Sequence, residues 1–115
     1  MNKIVAGVML FAGLAHAQDA AGNAENGKRL YMKNGCYQCH GTVGQGTIAG
    51  ARIGPPPLSA LGLIRYVRRP AGQMPAFTEK VMTDRELTDV YAYLRTIPPP
   101  KPAKDVPLLN DLRGK

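Results

Sequence analysis

A chain of 115 residues with 15 Lys and Arg against 8 Asp and Glu, a formal charge of +7 and no tryptophan has room for one domain and a modest core of its own. A basic balance of this size would ordinarily raise nucleic acid as a partner, but the start of the chain excludes it in practice by compartment. Lys3 precedes the apolar run Ile4 to Leu14, followed by Ala15-His16-Ala17, the pattern of a secretory signal peptide with an A-x-A cleavage site. Eleven apolar residues with two glycines fall short of the roughly twenty that span a bilayer. The expected organisation is a signal peptide over 1–17, a folded domain over 18–97 and a proline-rich C-terminal extension over 98–115. The mature protein would work outside the cytoplasm, most simply in a bacterial periplasm. Its charge would be 14 minus 8, or +6, and His40 would be its one histidine.

Ala24 to Asn34 is compatible with a helix that places Gly27, Leu30 and Tyr31 near one face. It runs into Gly35-Cys36-Tyr37-Gln38-Cys39-His40-Gly41, which holds both cysteines. Two thiols at this spacing can form a disulfide, half of a zinc site, a thioredoxin-like redox pair or a haem attachment. Zinc needs three or four ligands drawn from Cys, His and carboxylates, and two cysteines with one adjacent histidine do not fill it. A thioredoxin-like pair belongs after a strand in an α/β pattern, and nothing here alternates like a strand for more than a few residues. A disulfide across a two-residue gap leaves His40 unexplained. C-x-x-C-H is therefore read as a c-type haem attachment site. Thiols three residues apart on a short helical turn add to the two haem vinyl groups, and the next residue projects its imidazole at the iron. Cys36 and Cys39 are thus the attachment residues of one haem c, and His40 is the proximal ligand.

Gly41 to Gly54 carries glycines at 41, 44, 46 and 50 and reads as a loop wrapping the proximal side, or as a plain surface linker. Leu58 to Arg69 repeats apolar residues at Leu58, Leu61, Ile64, Tyr66 and Val67 and stops at Pro70, which predicts a middle helix. In Ala71-Gly72-Gln73-Met74-Pro75-Ala76-Phe77 the glycine and proline forbid regular helix and favour an extended loop. With no second histidine, the sixth iron position falls to a methionine, an amine, water or nothing. Met32, on the segment entering the haem motif, and Met82, approaching the last helix, are read as packing residues. Met74 is read as the ligand, because His and Met together are the electron-transfer arrangement and a loop suits such a ligand. Thr83 with Glu86 three residues on predicts a capping box opening a helix with Leu87, Val90, Tyr91 and Leu94 at helical spacing, ending before Pro98. The remaining tail holds five of the ten prolines; it is expected to be non-helical through Pro107, running as polyproline II. Leu108, Leu109 and Leu112 suggest that it packs back on the domain or docks on a partner, against the plainer reading of a disordered end.

Over roughly residues 23 to 97 these stretches resemble a class I cytochrome c of the small, bacterial, periplasmic, monohaem type. Residues 27–41 resemble the family's first helix and haem motif, with Gly27 and Tyr31 at its glycine and aromatic positions. Ile53-Gly54-Pro55-Pro56-Pro57-Leu58 resembles the stretch whose proline carbonyl accepts the proton on the proximal imidazole, leaving Pro55 and Pro56 as candidates. Met74-Pro75-Ala76-Phe77 resembles the ligand loop, and Leu87 to Ile97 the closing helix.

The resemblance implies an all-α cytochrome c fold of three to four short helices around one covalently bound haem. First and last helices would cross at Gly27, close to Val90 and Tyr93. Arg65, Arg68, Arg69 and Lys80 would stand as a basic rim near the exposed haem edge, steering an acidic partner. The implied function is one-electron carriage rather than catalysis. The donor would be a periplasmic flavin- or quinone-dependent dehydrogenase, and the acceptor a terminal oxidase or another cytochrome. The alternatives are a haem enzyme or gas or peroxide sensor with a labile sixth ligand, and a dedicated cytochrome subunit of a dehydrogenase complex.

Overall fold

The computed structural model describes residues 21–113; the signal-peptide expectation over 1–17 lies outside them. Among the described residues all regular structure is helical: α1 (Ala24–Lys33), α2 (Cys36–His40), α3 (Ala60–Arg68), α4 (Asp84–Arg95), a 3₁₀ turn (Ala103–Asp105) and α5 (Pro107–Arg113). None of these helices is long and apolar enough to cross a membrane. The all-α class read from the sequence holds, with the tail helix α5 added to it.

Each of the longer helices starts where a side chain takes up a free backbone N–H. Asn23 accepts from Asn26 at the head of α1, and Ser59 from Gly62 at the head of α3. Thr83 and Glu86 form the expected reciprocal capping box on α4, and α3 ends at Arg68, with Arg69 capping it just ahead of Pro70. The core consists of Leu30 and Tyr31 from α1, Met82 from the turn before α4, and Leu87, Val90, Tyr93 and Leu94 from α4. Cys36, Tyr37, Ile53, Leu63, Ile64, Val67, Phe77 and Ile97 pack partly buried around it.

α1 crosses α4 at Gly27, as expected from the first helix, and the approach is backbone to backbone. A Cβ on Gly27 would lie 1.9 Å from the Asp89 carbonyl oxygen and 2.9 Å from the Val90 nitrogen. The crossing buries the Asp89 carboxylate, which stays satisfied by accepting from the Asn23 backbone N–H and the Asn26 side-chain amide, both at 2.7 Å. An anion at the head of α1 also meets the positive end of that helix. Gly27→Ala should therefore force the two helices apart. The expected cost is about 3 kcal/mol, the upper end for overpacking, or a drop of more than about 10 °C in Tm for a domain of this size. A melting curve within two degrees of wild type would show that the crossing tolerates a side chain.

Three details of the packing bear on the sequence expectation. The middle helix expected over Leu58 to Arg69 is present as α3; Leu63, Ile64 and Val67 pack against the core, while Leu58 just ahead of the helix, Leu61 and Tyr66 are exposed. Met32 is 38% exposed and is not among the core residues; the buried face of α1 is taken by Gly27, Leu30 and Tyr31. Pro107 does not exclude helix but begins one. At the first helical position its missing N–H removes no bond and its fixed φ already suits the helix. α5 contacts the 3₁₀ turn and none of the other helices, and Leu108, Leu109 and Leu112 are exposed, so the tail does not pack back on the bundle.

Candidate functional site

α2 carries Cys36, Cys39 and His40 on little more than one helical turn, and both thiols are free. Cys36 packs against the core, where burial pushes its thiol up from the usual range, so it stays a neutral thiol at neutral pH. Cys39 is exposed. His40 Nδ1 lies 2.7 Å from the Ala51 carbonyl oxygen. A carbonyl can only accept, so the proton sits on Nδ1 and the lone pair of Nε2 is left for a metal. A ligating histidine is normally oriented this way, by a hydrogen bond from its other ring nitrogen.

The acceptor is thus Ala51, not Pro55 or Pro56 as the family pattern suggested. The reason lies in how the following loop folds back on the end of α2. Gly46 N–H donates to the His40 carbonyl and the Thr47 hydroxyl to the Cys39 carbonyl. Thr47 N–H in turn donates to the Gly50 carbonyl, closing a tight turn. Gly50 lies so close to α2 that a Cβ there would be 2.7 Å from the Cys39 carbonyl oxygen. Residue 51 consequently reaches the imidazole before any proline does. The loop from Gly41 to Gly54 thus folds back on the end of α2 beside His40.

Two tyrosines fix the chain immediately after His40. The Tyr31 hydroxyl donates to the Gly41 carbonyl at 2.7 Å, and the Tyr93 hydroxyl to the Thr42 carbonyl at 3.1 Å. Their rings are tilted at 60° with centroids 5.5 Å apart, within the range of favourable aromatic pairing. Burial raises both phenols above their ordinary range, so both remain protonated donors. Consecutive peptides beyond the imidazole are therefore held by α1 and by α4. The sequence marked Tyr31 only as an aromatic position; a phenol on the buried face of a helix, needing a partner for its hydroxyl, was the available signal.

The methionines separate by environment. Met82 is 2% exposed and enclosed by core side chains, as expected of a packing residue. Met74 is half-buried in the segment between α3 and α4. That segment is closed at its neck, where Phe77 N–H donates to the Val67 carbonyl at 3.1 Å and Arg68 donates to the Phe77 carbonyl at 2.8 Å. Arg68 also pairs with Asp84 at 2.6 Å, and its side chain is 19% exposed. It is turned to the protein, whereas Arg65, Arg69 and Lys80 are exposed.

The donor set fits a c-type haem: two unpaired thiols three residues apart, an imidazole with Nε2 free and its ring fixed, and a closed loop carrying a thioether. Searches of curated proteins and of solved structures each found no match. The model of one protein family, cytochrome C oxidase, cbb3-type, subunit III, matches residues 22–94. The matched span includes α1 to α3, the Met74 loop and all but the last residue of α4. Cytochrome c domains of this type carry covalently bound haem c, are typically extracytoplasmic and serve haem-based electron transfer. The chain therefore belongs to the cbb3-type subunit III family, as a cytochrome c domain of the class I type.

Proposed function

We propose that the protein is a periplasmic one-electron carrier with a single haem c, joined through Cys36 and Cys39 and ligated by His40 and Met74. The observation that carries this is the His40–Ala51 hydrogen bond on the same short helix as two free thiols. It presents an unprotonated Nε2 in a fixed direction, one residue from the second attachment point. Bound haem supplies the one-electron couple. The chain's own part is to hold the imidazole, present the thioether from a closed loop, and bring apolar side chains such as Ile53, Leu63, Ile64, Val67 and Phe77 to exclude water. Proton transfer is not required of any residue here; the groups are rigid ones, which suits a site that gains and loses an electron without rearranging.

The charge pattern supports an acidic redox partner. No acidic residue occurs between Glu25 and Glu79, the stretch holding all four haem-site residues, and Arg65, Arg69 and Lys80 are exposed. Such a surface speeds encounter with a negatively charged face. A periplasmic flavin- or quinone-dependent dehydrogenase is the proposed donor, and a terminal oxidase or another cytochrome the acceptor. An acceptor of the oxidase kind accords with a family described as an oxidase subunit.

The test is covalent stoichiometry. One haem per chain should remain with the denatured polypeptide after acid–acetone extraction. Cys36→Ser and Cys39→Ser should each leave a single thioether, seen as a shift of the reduced α band of the pyridine complex to longer wavelength. Extractable haem, or two haems per chain, would sink the assignment.

A further inference from the structure

We infer that Arg68 is a positioning residue for the sixth ligand: a clamp that closes the neck of the Met74 loop and ties it to both flanking helices. The inference rests on the reading of Met74 as that ligand. Arg68 is the last residue of α3, and its guanidinium makes two bonds in different directions. One nitrogen donates to the Phe77 carbonyl at 2.8 Å, and the other to Asp84 Oδ1 at 2.6 Å. Asp84 is the first residue of α4, where a carboxylate is favoured by the helix end, and its carbonyl accepts from Thr88. Phe77 is held on its other side as well, its N–H donating to the Val67 carbonyl at 3.1 Å. Three consecutive features of the chain, the end of α3, the end of the loop and the start of α4, thus meet on one side chain.

The geometry limits where the thioether can go. Met74 is three residues from Phe77, a span of at most roughly 10 Å when fully extended. With Phe77 fixed by both of its backbone groups, the end of the loop is anchored to α3 and Met74 is confined to that span from it. A planar fork with several donors is suited to binding a carbonyl and a carboxylate together, and lysine offers no such fork. The Arg68 side chain is 19% exposed and that of Asp84 56%, so the bond to the Phe77 carbonyl is partly shielded while the pair with Asp84 faces solvent; both are charge-assisted.

The experiment uses the haem-loaded, oxidised protein and follows cyanide association, which requires the sixth ligand to leave. The sulfur-to-iron charge-transfer band is recorded alongside. Arg68→Met keeps the stem and removes both bonds; it should speed cyanide association about tenfold, the worth of one such bond, and weaken the band. Asp84→Asn, which spares the Phe77 bond, should show a smaller change in the same direction and keeps the test open if Arg68→Met does not load haem. Asn26→Ala is the control, because it removes a hydrogen bond at the α1–α4 crossing and touches neither Arg68 nor Phe77. It should lower Tm without altering the cyanide rate. Wild-type cyanide kinetics in both the Arg68 and Asp84 variants would overturn the clamp, and so would equal acceleration in the Asn26 variant, which would mark a general loss of stability. A wild type that lacks the sulfur band would overturn the Met74 reading itself, and the clamp with it.

Discussion

Replacing His40 by alanine should leave a polypeptide with haem attached through Cys36 and Cys39 but without its low-spin spectrum. The expectation follows from arithmetic as much as geometry. His40 is the one histidine among the described residues, so no neighbouring imidazole can take its place. The peptides around it are also immobile: Gly46, Tyr31 and Tyr93 bond the carbonyls of His40, Gly41 and Thr42 in turn. A substitute ligand would have to come from a segment that is already pinned. Electron transfer to a chemical oxidant should fall by more than about a hundredfold, since even partners that only orient a ligand are worth about 10–100-fold. Added imidazole should restore low-spin bands by filling the space left beside Ala51. An unchanged spectrum in His40→Ala would mean that the ligand assignment is wrong, and so would failure of imidazole to restore it in a variant that holds its haem.

What could be read in the sequence, and what could not, follows from the range of the interactions. The capping box of Thr83 and Glu86 is a contact between residues three apart, and the structure contains it as read. The tight crossing at Gly27 was legible through the family resemblance, with the physical reason that an absent side chain lets two backbones approach. The partner of His40 was not legible. Every residue has a carbonyl, so identity cannot mark Ala51; only the folding of the loop through Thr47 and Gly50 selects it. Arg68 was read as one of a group of surface cations, and nothing in its neighbourhood along the chain announces that its partners are a carbonyl nine residues away and a carboxylate sixteen away. On α3 periodicity marked the helix but could not choose its inward face: with Leu58, Leu61 and Tyr66 on one side and Leu63, Ile64 and Val67 on the other, both faces are apolar. The tail shows the same limit at a proline, which breaks a helix from within but opens one from its first position.

Met74→Ala is expected to separate the carrier from an enzyme or sensor more sharply than any other change. A thioether on the iron fills the sixth position, favours the reduced state relative to harder ligands and excludes exogenous molecules, whereas an enzyme or gas sensor needs that position open. The oxidised wild type should accordingly be low-spin, show the weak red band of sulfur-ligated haem and, once reduced, take up carbon monoxide only slowly. In Met74→Ala the band should vanish and carbon monoxide should bind at once. The potential should fall by on the order of a hundred millivolts or more, a modest part of the roughly 0.8 V over which axial ligands tune haem. Met82→Leu makes the comparison exact in its chemistry, since it too removes one thioether. Met82, at 2% exposure among Leu30, Tyr31, Leu87 and their neighbours, is committed to the core. A swap of similar volume there should cost less than about 1.5 kcal/mol and leave the band in place. Loss of the band in Met82→Leu would move the ligand from the loop to the core and leave the electron-carrier role intact. A wild type that is high-spin and binds carbon monoxide immediately would remove that role, because no sixth ligand would then be held by the loop that Phe77 and Arg68 close.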